Sequence, residues 1–260
     1  MAYLLFTYLA FFSLISNFCH SFNPKLLNVS KYDQYSSNWP TTDATWYGDA
    51  FGSGSAGGSC GYEDAVASAP FSSKITAVAS SLYNNGYGCG KCFQVKCTSS
   101  PYCSGTPVTV VVTDSCLGCD HFFDLSGTSF GAMANPGQDE QLRNAGRLQI
   151  QYQSVECDYI GVNVAFRVDP GSNANYFATA IEYEDGDGLV GVALRQANSD
   201  GEWMQMQLSW GAVYAVNLPN GYAPPFSFKL TDSSKTVVAE NVIPSNYQVQ
   251  TYRSVVNFGV

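Results

Sequence analysis

Beyond residue 21 every cysteine falls between Cys60 and Cys157, and the last hundred residues hold none. The set is even: Cys60, Cys89, Cys92, Cys97, Cys103, Cys116, Cys119 and Cys157. What such a set can build depends on the compartment, and the N-terminus points to one. Residues 1–21 carry no charged side chain, and Tyr3 to Ile15 is almost unbroken apolar chain without an amphipathic stripe. That run is shorter than the roughly 20 apolar residues a membrane-spanning helix needs. Cys19 and Ser21 are small residues at a spacing suited to a signal peptidase. Residues 1–21 therefore read as a signal peptide, and the rest as a secreted, extracellular chain that does not enter the membrane.

In an oxidising compartment an even cysteine count reads as disulfides, although eight cysteines permit about a hundred pairings. Cys89-x2-Cys92-x4-Cys97 has the outline of a zinc or iron–sulfur ligand run. However, His121 is the only histidine after the leader, and such clusters belong inside cells. Cys116-x2-Cys119 resembles a redox pair but has no βαβ context, so it reads as a local structural bridge. No metal and no cofactor are expected.

The cysteine-free stretch marks a domain boundary near residues 158–172. Charge narrows the partners. Twelve Lys and Arg against 21 Asp and Glu give a net charge of −9, and only 13% of residues are charged. Soluble domains average about 25%. Basic residues this sparse exclude nucleic acid and anionic membranes, whose binding rests on clustered Lys and Arg. With 17 Tyr, 16 Phe and 24 Gly, the composition suggests β structure and a neutral, flat or sugar-like partner. Asn28-Val29-Ser30, in a polar N-terminal arm over residues 22–41, is the one glycan acceptor triplet.

Period-two patterning and β-branched content predict strands at Cys92–Lys96, Pro107–Thr113 and Arg147–Val155. Short helices are expected at Ser126–Ala134 and Asp139–Asn144. In the second half, strands are expected at Val162–Val168, Tyr176–Tyr183, Leu189–Leu194, Trp203–Leu208, Ala212–Leu218, Phe226–Leu230 and Thr236–Ala239. Seven short strands at near-regular spacing read as a β-sandwich. Gly52-Ser53-Gly54-Ser55-Ala56-Gly57 has the letters of a dinucleotide fingerprint. It lacks the flanking strand and helix that give that motif its mechanism.

Several segments together resemble the expansin family, most closely the β-expansins. They are Thr45-Trp46-Tyr47-Gly48, Gly57-Gly58-Ser59-Cys60-Gly61-Tyr62 and the Gly88–Cys97 run. Val112-Thr113-Asp114, Phe123-Asp124-Leu125-Ser126-Gly127, Phe130-Gly131-Ala132-Met133-Ala134 and Ser209-Trp210-Gly211-Ala212 follow in the same order. The resemblance implies a mainly β protein: a six-stranded double-psi β-barrel related to family-45 glycoside hydrolases, then an immunoglobulin-like carbohydrate-binding β-sandwich. Barrel and sandwich are expected over residues 42–164 and 172–258. The implied disulfides are Cys60–Cys89, Cys92–Cys157, Cys97–Cys103 and Cys116–Cys119. The implied activity is loosening of the plant cell wall without bond cleavage, by a monomer acting on cellulose and xylan or another neutral matrix glycan. Flat aromatic faces with polar tips suit such a partner better than charge does.

By the same resemblance Thr45, Tyr47, Asp114 and Asp124 line a groove, with Asp124 at the position of the hydrolases' general acid. Asp124 has a structural alternative, as a carboxylate bonded to amides at the start of the following helix. One departure concerns the family's His-Phe-Asp, which here is His121-Phe122-Phe123-Asp124. Counting back from Asp124 puts Phe122 in the histidine's place, unless an inserted residue bulges out and restores His121. Another departure is Asp49, near where the hydrolases carry a base. An endoglucanase with Asp124 as acid and Asp49 as base is the enzymatic alternative, and Asp49 as a solvated turn residue the structural one. Tyr176 and Trp210 match the family's exposed aromatic platform, continued by Trp46. Period two from Met204, Met206 and Leu208 would put Trp210 on the core face, so the platform requires the strand to end there. Trp203 reads as ordinary packing. A further alternative is a passive binding module whose barrel only presents the sandwich.

Overall fold

The structure is a computed structural model that describes residues 39–197, 199 and 201–259. Residues 1–21 (expected to be a signal peptide), Asn28 and nearly all of the 22–41 arm lie outside the described residues. Six strands close into a barrel: β1 (Thr41–Tyr47), β2 (Ile75–Ala79), β3 (Cys92–Cys97), β4 (Val108–Cys116), β5 (Phe123–Ser126) and β6 (Arg147–Val155). Their order around the barrel is β1-β5-β2-β4-β3-β6. The pairs β1/β5 and β2/β4 are parallel and the rest antiparallel.

The reason for strands is plain in β6, whose sequence RLQIQYQSV alternates buried Leu148 and Ile150 with outward polar residues. In β2, ITAVA is buried at every position, as suits a strand packed on both faces. Ala44, Ile75, Val78, Val95, Val110, Val112, Phe123 and Leu125 fill the barrel's core. The expected Ser126–Ala134 helix is shorter, Gly127–Gly131. β5 runs on through Ser126, whose hydroxyl then accepts from the Ser129 N–H at 3.0 Å and caps the helix.

The sandwich stacks a four-stranded sheet, β10-β9-β13-β14, on a five-stranded sheet, β11-β12-β8-β7-β15. Its strands are β7 (Ala165–Val168), β8 (Tyr176–Glu182), β9 (Gly191–Gln196), β10 (Met204–Gln205), β11 (Gln207–Trp210), β12 (Val213–Asn217), β13 (Phe226–Thr231), β14 (Thr236–Ile243) and β15 (Thr251–Arg253). β7 thus joins the sandwich ahead of residue 172. Phe166 stacks on Phe228 at 4.4 Å between ring centroids, and Phe177 meets Phe226 edge-on at 5.1 Å. The single strand expected over Trp203–Leu208 is two. β10 pairs with β9, and β11 leaves for the other sheet to pair with β12. Buried Met206 is the crossing point.

The structure pairs Cys60 with Cys89, Cys92 with Cys157, Cys97 with Cys103 and Cys116 with Cys119. Cys157 also exchanges backbone hydrogen bonds with Gly186 at 2.7 and 3.0 Å. The connector between barrel and sandwich is therefore tied to both. No helix among the described residues is long and apolar enough to cross a membrane.

Candidate functional site

Four neighbouring strands bring one row of residues together. Thr45 of β1 is in register with Asp124 of β5, Asp124 with Ala77 of β2, and Ala77 with Asp114 of β4. Asp114 reaches this row through a register shift in the β2/β4 ladder: Thr76 pairs with Val112 but Ala77 with Asp114. The extra residue, Thr113, re-aims the chain as a β-bulge does. Two inter-strand spacings put Asp114 and Asp124 roughly 10 Å apart, with only an alanine between them.

Thr45 Oγ1 donates to Asp124 Oδ1 at 2.6 Å and lies 2.8 Å from His121 Nε2. The inserted residue is absorbed ahead of β5, where residues 120–122 bend. His121 thereby reaches Thr45 and is 9% exposed. Phe122 does not take its place. The Phe122 N–H donates to Thr42 Oγ1, and its ring packs edge-on against Tyr152. Phe123 and Leu125 are fully buried on the other strand face, so these apolar neighbours do not enclose the Asp124 carboxyl. Nor does Asp124 cap the helix, since Ser126 does that.

Asp114 Oδ1 accepts from Ser59 N–H (2.7 Å), Ser59 Oγ–H (2.8 Å) and its neighbour Ser115 N–H (2.8 Å). It thereby holds the Gly57–Gly61 loop against the end of β4. Tyr47 stands on the same face of β1 as Thr45. Burial pushes its phenol well above the usual tyrosine range, and the nearby Asp114 and Asp124 push it further. Its hydroxyl is buried beside the Ser55 backbone. Trp46 faces the other way, donating its indole N–H to the Arg143 carbonyl at 3.0 Å and leaning on Phe130. Asp49 is exposed. Its carbonyl accepts from the Gly52 N–H at 3.0 Å, closing a turn, and its Cβ lies beside Gly52 of the same loop.

Trp210 and Tyr176 share the outer face of the five-stranded sheet. β11 does not end before Trp210. Leu208 pairs with the core residue Tyr214, and after a register shift at Ser209 Trp210 pairs with outward-facing Val213. The bulge turns the ring out of the core, and it is 47% exposed. Tyr176 packs beside Ala178, Ala180, Val213 and Ala215. Trp203 lies just ahead of β10, under the Arg195 guanidinium of β9 at 4.4 Å.

Two of the quoted motifs meet here. The Trp210 ring lies across Gly61, where a Cβ would come within 2.5 Å of it and where φ is +77°. At Gly211 a Cβ would meet the Ser59 carbonyl oxygen at 2.5 Å, and the Ala212 N–H donates to the Cys60 carbonyl at 3.0 Å. Only glycine permits backbones this close. Arg167 of β7 seals the seam, pairing with Glu63 at 2.8 Å and Glu182 at 3.1 Å and bonding the Gly61 carbonyl. Sequence reasoning missed Arg167, Glu182 and Ser59. The placement of Arg167 between core-facing Phe166 and Val168 was the available signal that it faces outward. Among the described residues no group of His, Cys, Asp or Glu is arranged to hold a metal ion.

Two family models match the chain: "Lytic transglycolase" over residues 75–152 and "Expansin C-terminal domain" over residues 164–244. Among relatives, Expansin-B11 of Oryza sativa subsp. japonica is 51% identical over 233 residues, covering 85% of this chain and 79% of its own. Expansin-B4 of Arabidopsis thaliana is 43% identical over 262 residues, 97% of each chain. Among solved structures, a mutant Clavibacter michiganensis expansin in complex with cellohexaose superposes with a TM-score of 0.65. At 24% identity, over 84% of this chain and 98% of that one, it establishes the shared fold.

Proposed function

This chain belongs to the expansin family, among its B-type members, and on that premise we propose that it is a secreted plant cell-wall protein that loosens walls without cutting glycan. It binds cellulose and a neutral matrix glycan such as xylan, as a monomer, and disrupts their noncovalent contacts. Thr45, Tyr47, Asp114 and Asp124 contact the glycan in the groove. Tyr176 and Trp210 hold it by stacking.

The observation that carries this is the seat of Trp210 on Gly61. An aromatic ring of the sandwich rests on the barrel loop that Asp114 holds in place, which supports treating the stacking platform and the carboxylate groove as one surface. A linear polymer laid across both would be gripped by rings at one end and by hydroxyl and carboxyl groups at the other. Stacking on neutral sugar fits a chain of net charge −9, for which charge attraction to acidic polysaccharide is unavailable. The turn position of Asp49 favours this account over hydrolysis, which needs a second carboxylate about 6.5–9.5 Å from the acid when inverting. The test is constant-load creep of heat-inactivated walls with reducing ends assayed in the same bath. Creep without new reducing ends is expected. Reducing ends that disappear in Asp49→Asn would overturn it in favour of an endoglucanase.

A further inference from the structure

Three hydrogen bonds run in series from the surface to the groove. Asp120 Oδ1 lies 2.8 Å from His121 Nδ1, His121 Nε2 lies 2.8 Å from Thr45 Oγ1, and Thr45 Oγ1 lies 2.6 Å from Asp124 Oδ1. We propose that Asp120 is a positioning residue for the groove, and that His121, Thr45 and Asp124 share one labile proton along this chain. The inference deepens the functional assignment above and rests on it for its meaning in the wall.

The Asp120 carboxylate can only accept, so Nδ1 must carry a hydrogen. Thr45 has one hydroxyl hydrogen and stands between two groups that each require a partner. If Asp124 is ionised, the hydroxyl donates to it, and the contact with Nε2 needs an Nε2–H, which makes His121 an imidazolium. If His121 is neutral, Nε2 accepts the Thr45 hydrogen, and Asp124 must be a carboxylic acid donating to Thr45 Oγ1. The two arrangements hold the same number of protons. Between them the Asp124 O–H breaks as a Thr45 O–H forms, and the former Thr45 O–H breaks as an Nε2–H forms. Remove that proton and one of the two short contacts loses its hydrogen. The three groups are therefore complete with one proton, which the chain can present on Asp124 to a glycan oxygen or withdraw to His121.

The surroundings fit this assignment. Asp120 is 72% exposed, whereas His121 is 9% exposed. Arg147 of β6 bonds both oxygens of Asp120 at 3.0 and 3.1 Å and reaches Asp43 of β1 at 2.8 Å. The His121 and Arg147 hydrogen bonds hold the Asp120 carboxyl below its ordinary range, which keeps it an acceptor. At the other end Tyr47 of β1 and Asp114 of β4 face Asp124. β2, which pairs with β5, brings only ITAVA and no titratable group.

The test is side-chain NMR of His121 and of the Asp124 carboxyl carbon between about pH 4 and 8, spanning the reference carboxyl and imidazole values. In the wild type, His121 should keep Nδ1–H throughout, and its Nε2 signal should move with the Asp124 carbon in one shared transition. Thr45→Val should split this into two transitions. Asp120→Ala should release the tautomer and shift the pH profile of wall creep by about one unit, and Asp120→Glu should restore both. Two separate transitions in the wild type would overturn the shared proton. An unchanged tautomer and creep profile in Asp120→Ala would overturn the role of Asp120. Absence of creep in the wild type at every pH would instead count against the wall-loosening function, leaving the NMR result to judge the proton chain.

Discussion

The barrel and the sandwich are of similar strand content but are ordered by different means. The barrel carries three disulfides within itself, and a fourth, Cys92–Cys157, pins it to the connector. One of its faces carries a network of short polar contacts around Thr45, Asp124 and His121. The sandwich has no disulfide among its described residues. It rests on stacked phenylalanines, Phe166 on Phe228 and Phe177 against Phe226, and presents bare aromatic surface. The difference suggests a division of labour, with covalent staples where polar groups must be held at fixed separations and plain hydrophobic burial where a flat ring suffices.

The largest effect should come from removing a staple. Cys92 and Cys157 are 65 residues apart, and releasing a loop of that length loses roughly 4 kcal/mol on the chain-entropy account. In the double variant Cys92→Ala/Cys157→Ala, denaturant unfolding followed by domain-specific probes should show the barrel transition moving far and the sandwich transition little. Equal movement of both would mean that the two units unfold as one, with no separate covalent ordering of the barrel.

A smaller effect is expected at the seam, where the two kinds of order meet. A cavity of about 30 Å³ there is lined by Tyr62, Tyr159, Tyr183, Tyr214 and Glu184. Glu184 Oε1 is buried without a hydrogen-bond partner. Burial, and then the neighbouring Asp232, Asp187 and Asp185, push its carboxyl from 4.5 up to about 9. The folded chain thus keeps a proton that the unfolded chain releases above about 4.5, so stability falls as pH rises from there toward 9. The slope is on the order of 1 kcal/mol per pH unit. Thermal unfolding should be highest in acid, and Glu184→Gln should flatten the dependence. A pH-independent wild-type melting curve would refute the assignment.

How much of this was legible in the sequence follows the local geometry. β3 and β6 were readable because their alternation is regular, and the sandwich because its strands recur at even spacing. β2 was not, since ITAVA is buried throughout and shows no alternation. β1 was missed because TTDATWY turns mostly polar residues outward and offers the core little more than Ala44 and Trp46. The site was harder still. Thr113, Ser209 and the 120–122 bend each shift the register by a residue, and a one-residue shift exchanges the faces of a strand. Those shifts decide where Asp114, Trp210 and His121 point, and no rule of periodicity reports them. The motif Ser209-Trp210-Gly211-Ala212 was visible, but its partner across the seam, Gly57–Gly61, could be found only in three dimensions.

The finest test separates the ring from its seat. Trp210→Ala removes the platform itself and should weaken cellulose retention by about 2 kcal/mol, near 30-fold, as for an aromatic anchor, with stability lowered by about 1–2 kcal/mol through the buried half of the ring. Gly61→Ala leaves the ring in place but obstructs what lies beneath it. The new Cβ would stand 2.5 Å from the Trp210 ring, at a φ of +77°, so the ring must lift and the loop must strain by about 1–2 kcal/mol. If sandwich and barrel share one binding surface, that lift breaks its continuity, and retention should fall several-fold although every glycan-contacting side chain is intact. Retention equal to wild type in a folded Gly61→Ala would mean that Trp210 binds without the barrel's support. The two units would then be neighbours on a polymer rather than halves of one site, and the groove carboxylates would have to be explained apart from the platform.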